Sequence, residues 1–136
     1  MLFRSENHLM RAGSIAKAVK QSLSYLKKNY PDWKNDLKTK PLFEIEVKNQ
    51  KEMLAALKAG GRFLMLDNFS LPDLAEAVKK AREWEKKHNT KVWLEASGNV
   101  EMATVRRIAN TGVDFISAGA LTHSAPALDF SLKIVK

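Results

Sequence analysis

From Ala12 to about Tyr30 the apolar residues Ile15, Val19, Leu23, Leu26 and Tyr30 recur at spacings of three and four, which predicts one face of an amphipathic helix ended by Pro31. Ahead of it, Met1-Leu2-Phe3 is too short for a whole strand, so the chain reads as beginning in mid-element. Asp32 to Pro41 is polar and aperiodic, a loop. Leu42-Phe43-Glu44-Ile45-Glu46-Val47 alternates apolar and acidic residues, a strand with Glu44 and Glu46 on one face. Glu44, in mid-strand, reads as solvent-facing. Met53, Leu54 and Leu57 predict a short helix closed by Gly60-Gly61, and Arg62 to Leu66 a strand ending on Asp67-Asn68. Ser70-Leu71-Pro72-Asp73 is a helix start, with Ser70 as cap and Leu74, Val78, Ala81 and Trp84 carrying the helix to about His88. Lys91 to Ala96 is the next strand. A helix from about Val100 to Asn110, with Val105 and Ile108 inward, leads into a strand from Val113 to Ser117, and Leu128 to Val135 alternates as a final strand.

The βα unit thus repeats, with strands starting near Leu42, Arg62, Lys91 and Val113, and this predicts an α/β fold on a parallel sheet. A doubly wound sheet and a (β/α) barrel both satisfy the pattern. A full barrel needs roughly 250 residues, so a chain of 136 is expected to form one domain, residues 1–136, and at most part of a barrel: about four βα units plus a C-terminal strand. No cysteine is present, and no apolar run has membrane-spanning length, so a cytoplasmic protein without a membrane partner is expected. The formal charge is +8, but the lysines are scattered over helical segments and no basic block alternates with aromatics. That pattern argues against nucleic acid and leaves room for a polyanionic substrate.

In parallel α/β folds the chemistry sits at the carboxyl ends of the strands. Those ends here are Glu46, Asp67, Ser97-Gly98, and Ser117 with Gly119. Small residues where a strand hands over to a helix let backbone N–H groups approach a phosphate, and a helix N-terminus adds unpaired donors. Two carboxylates beside such a site would repel phosphate unless sugar hydroxyls or a divalent cation intervened, which points to Mg²⁺ and a sugar phosphate. His8 and His123 stand near these ends without a role that spacing alone can assign.

Glu44-Ile45-Glu46-Val47, Met65-Leu66-Asp67-Asn68-Phe69, Glu95-Ala96-Ser97-Gly98, Phe115-Ile116-Ser117-Ala118-Gly119-Ala120-Leu121-Thr122-His123 and Leu128-Asp129-Phe130-Ser131, in this order, resemble the C-terminal half of quinolinate phosphoribosyltransferases. Asn7-His8 followed by Ala12-Gly13-Ser14-Ile15 is similar to another segment of that family. The resemblance implies conversion of quinolinate and phosphoribosyl pyrophosphate, with Mg²⁺, into nicotinate mononucleotide, a step of NAD biosynthesis. It implies that Glu46 and Asp67 are the catalytic and metal-holding carboxylates. It further implies that Ser97, Gly98, Gly119 and His123, together with Asn7 and His8, contact substrate. Ser5, beside Arg4, stands where the family has a lysine, and Asn99 where it has a second glycine. The family's N-terminal domain, its first barrel strands and the cluster that grips quinolinate are not among these residues. An open arc of parallel strands leaves edges and an apolar inner face, so a homo-oligomer is expected. A chain that keeps only a phosphate site, with a binding or structural role, remains the alternative at this point.

Overall fold

A computed structural model describes residues 2–4, 13–30 and 43–119. Strand β1 (Leu2–Arg4) is followed by helix α1 (Ile15–Asn29), then β2 (Phe43–Val47), α2 (Gln50–Lys58), β3 (Phe63–Asp67), α3 (Leu71–His88), β4 (Trp93–Ser97), α4 (Met102–Ala109) and β5 (Phe115–Ile116). The short apolar start of the chain is a strand of its own, paired in parallel with β2 through Leu2–Phe43, Phe3–Glu44 and Arg4–Ile45. The expected loop at 32–41 and the final strand at 128–135 lie outside the described residues.

The five described strands run parallel in the order β1-β2-β3-β4-β5. A doubly wound sheet reverses its strand order at a switch point. This order never reverses, so each right-handed crossover steps the same way and leaves its helix on the same face. The result is an arc of a (β/α) barrel, and it settles which of the two α/β architectures the alternating pattern meant.

The helix side of the sheet is the core. Strand residues of one parity, Ile45, Val47, Leu64, Leu66, Leu94 and Ala96, are buried there against Val19, Leu26, Met53, Leu57, Leu74, Val78, Ala81 and Ile108. The helices start where their sequence signals stand. Ser14 caps α1, Asn49 caps α2, and the Ser70 hydroxyl accepts the Asp73 N–H at 3.3 Å ahead of α3. Asn89 closes α3 in the left-handed conformation, at φ 46°.

The opposite parity faces the concave side: Glu44 and Glu46 on β2, Phe63, Met65 and Asp67 on β3, Trp93, Glu95 and Ser97 on β4, and Phe115 on β5. Towards the amino ends of the strands this side is aromatic, with the Phe115 ring 5.5 Å from Phe63 and 5.8 Å from Trp93. Towards the carboxyl ends it turns acidic and polar. Behind the amino ends, Arg82 of α3 donates to Asp114 at 2.8 Å and to the Val92 carbonyl at 2.9 Å, while the Leu94 N–H donates to Asp114 at 2.8 Å. That network ties β4 and the approach to β5 onto α3.

Candidate functional site

Sheet register brings the expected carboxylates onto one rim with the expected phosphate turn. Asp67 pairs directly with Ser97 across β3 and β4, and Glu46 pairs with Met65 one step below on the same face. Glu46 and Asp67 are therefore diagonal neighbours on adjacent strands, within reach of a shared ligand. Both are half-buried. The two residues form a hard oxygen donor set. Among the described residues no group of three or more His, Cys, Asp or Glu is placed to hold a metal ion. Two carboxylates fit a Mg²⁺ ion that completes its shell with water and substrate phosphate.

After Ser97 the chain turns through two successive left-handed residues, Gly98 at φ 90° and Asn99 at φ 50°. Backbone turned this way presents N–H groups to an anion more readily than a strand does. The helix start itself is less available than the sequence implies. Helix α4 begins only at Met102 and carries Glu101 at its cap, so a carboxylate already occupies the positive end of the dipole. What the strand end offers to phosphate is the turn, not the helix. Gly119 lies exposed beyond β5, on the next strand along the rim. Asn7, His8 and His123 lie outside the described residues.

Two features were not anticipated. Glu44 is 1% exposed, not solvent-facing, because its parity places it with Glu46 on the concave face beside Phe63. Neither of its carboxyl oxygens has a hydrogen-bonding donor among the described residues. Burial first, then the neighbouring carboxyl of Glu95 and the charge of Glu46, push Glu44 up to about 8. Glu95, 8% exposed, is itself an acceptor, so only a proton held between the two can bond them. The Ser117 hydroxyl donates to Glu95 Oε1, which turns that side chain towards the acidic pair. The signal for Glu44 was present in the alternation, since a face that carries Glu46 inward carries Glu44 inward as well. Glu95 was marked by the same rule, two residues before Ser97.

The second feature is a pair of asparagines. Asn68, at φ 55°, donates from Nδ2 to Asp67 Oδ1 at 3.0 Å and accepts at Oδ1 from Asn99 Nδ2 at 3.1 Å. Its backbone N–H donates to the Ser97 carbonyl at 2.9 Å. Asn99, the residue standing in a glycine's place, thus turns its side chain towards β3 and away from β5.

The family model described as quinolinate phosphoribosyl transferase, C-terminal domain, matches residues 1–133. A probable nicotinate-nucleotide pyrophosphorylase (carboxylating) of Archaeoglobus fulgidus is 37% identical over 135 residues, which are 99% of this chain and 46% of that protein. A Synechocystis protein of the same description is 39% identical over 132 residues, 96% of this chain and 39% of its own length. Among solved structures, the nicotinate-nucleotide pyrophosphorylase from Francisella tularensis superposes with a TM-score of 0.69 at 40% identity, covering 93% of this chain and 39% of that one. NadC from Streptococcus pyogenes gives 0.70 at 32% identity, over 97% of this chain and 40% of its own. The chain therefore spans less than half the length of these relatives. The described fold and the match over residues 1–133 agree: the chain belongs to the quinolinate phosphoribosyltransferase family, within its C-terminal domain.

Proposed function

We propose that this chain supplies the sugar-phosphate half of an active site that transfers a phosphoribosyl group from phosphoribosyl pyrophosphate to quinolinate, with decarboxylation to nicotinate mononucleotide. The observation that carries the reading is the pairing of Asp67 with Ser97, which sets a carboxylate and a left-handed anion turn side by side on one rim. Family membership names the ligand that such a rim would take.

In this reading the backbone of Ser97, Gly98 and Gly119 holds the ribose 5-phosphate, with His123 beside it and Asn7 and His8 contacting substrate. Glu46 and Asp67 receive the ribose hydroxyls and would hold Mg²⁺. Bound there, the ion would draw charge from the departing pyrophosphate. The two carboxylates also face the anomeric carbon as it gains positive charge, which favours the transition state over the ground state. Glu44 stays protonated near neutral pH, so the concave side carries less negative charge towards a polyanionic substrate than its carboxylates imply. The grip on the quinolinate carboxylates comes from residues outside this set. Residues 1–136 act as one barrel portion, in the cytoplasm, within a homo-oligomer and without nucleic acid or membrane. None of the described helices is long and apolar enough to cross a membrane.

Isothermal titration with phosphoribosyl pyrophosphate tests the reading. Binding at millimolar concentration or better is expected, stronger with Mg²⁺ than without, and Asp67→Asn should remove most of the metal dependence. No binding at millimolar ligand in the presence of Mg²⁺ would overturn it.

A further inference from the structure

We propose that Asn68 and Asn99 form a clasp that fixes the Ser97–Asn99 turn in its anion-binding shape and couples it to the Asp67 carboxylate, making both asparagines positioning residues. The inference rests on the phosphate reading of the rim given above and adds the device that holds the turn in place.

Asn68 lies at the junction of three groups. Its backbone N–H extends the β3–β4 ladder one step beyond the last strand pair, Asp67 with Ser97, by donating to the Ser97 carbonyl at 2.9 Å. Its Nδ2 donates to Asp67 Oδ1 at 3.0 Å, and its Oδ1 accepts from Asn99 Nδ2 at 3.1 Å. Gly98 wraps so closely around this amide that a Cβ there would stand 2.2 Å from Asn68 Oδ1. Beside the pair lies a half-open pocket of about 180 Å³, lined by Gly98, Leu74, Thr104 and Ile108 as well as by the asparagines. With packing incomplete on that side among the described residues, the turn leans on hydrogen bonds for its position. Both asparagines adopt left-handed backbone, which a residue with a Cβ visits only when something local compensates. The direction of the Asn99 side chain matters as much as its bond. It reaches towards β3, so the Asn99 side chain itself does not cover the side of the turn that faces Gly119 across β4 and β5.

The test uses Asn68→Gly, Asn99→Gly and the double variant of the full chain, because glycine keeps the left-handed backbone while deleting the amide. Two quantities are measured: hydrogen exchange at the Gly98 and Asn99 amides without ligand, and affinity for ribose 5-phosphate without metal. Each single variant is expected to exchange several-fold faster at those amides and to bind about three- to tenfold more weakly, the scale of one or two hydrogen bonds. The double variant should bind no more weakly than Asn68→Gly, since both changes break the same clasp. Wild-type exchange and affinity in the single variants, or additive losses in the double, would overturn the inference. Should Asn68→Gly fail to fold, Asn99→Gly decides alone by the same two readouts. If the wild type binds no ribose 5-phosphate while exchange responds as expected, the phosphate reading falls and the clasp stands.

Discussion

Gly98 holds the most demanding backbone position on the rim. Its φ of 90° lies where an L side chain is strained, and a Cβ would press into Asn68. Gly98→Ala is therefore expected to cost about 2 kcal/mol of stability and to weaken ribose 5-phosphate binding at least tenfold, read by thermal unfolding and titration. Glu44 makes a prediction of opposite sign. Its carboxyl titrates at about 8 in the folded chain against an ordinary 4.5, so the native state retains a proton that the unfolded chain has lost. Stability from this group is whole below the unfolded value and declines as pH rises through the window between the two. Glu44→Gln removes that penalty. It should raise stability by roughly 1–3 kcal/mol at pH 8, and the gain should vanish near pH 4.5; unfolding at both pH values checks it. Glu46, Asp67, Ser97 and Gly98 were legible in the sequence because strand ends follow from the alternating pattern. The burial of Glu44 was legible in part: its face could be read, but its depth depends on the strands packed beside it.

Among the elements, helix boundaries were the most readable, since capping residues act through neighbours three positions away. Ser70 with Asp73 and the stop at Asn89 needed nothing beyond local spacing. Strand β1 was not readable as an element, because three residues become a strand only by pairing with β2 some forty positions on. Asp114 was likewise invisible. Its partners Arg82 and Leu94 stand 32 and 20 residues away in sequence, and nothing in the local pattern links them. Burial alone would raise its carboxyl, but the hydrogen bonds from Arg82 and the Leu94 N–H, with the charges of Arg82 and Lys91, outweigh that and hold it below its ordinary value. Its contribution is present above the ordinary carboxylate range and is lost as pH falls through the depressed value. The network sits at the amino ends of the strands, the face of such folds that carries stability rather than chemistry. Asp114→Asn should lower stability by about 2 kcal/mol at pH 7 and leave affinity for phosphoribosyl pyrophosphate unchanged, which thermal unfolding and titration together decide.

At the scale of the whole molecule, strand order decided what the repeating βα pattern left open. Alternation implies a parallel sheet, but only the unreversed order β1 to β5 makes it an arc of a barrel, with helices on one side and the candidate rim on the other. Order is a property of which strands meet, and no periodicity along the chain contains it. The resemblance of the strand-end motifs to a known family carried that information indirectly, and the fold agrees with it. The candidate rim takes Glu46 from β2, Asp67 from β3 and Ser97 from β4, with Gly119 just beyond β5. The most direct test is a titration of the ¹⁵N-labelled chain with ribose 5-phosphate, followed by amide chemical shifts. The largest shifts are expected at the backbone N–H groups of Gly98, Asn99 and Gly119, saturating together. Shifts absent at millimolar ligand, or centred on the helix side of the sheet, would contradict a phosphate cradle at the strand ends.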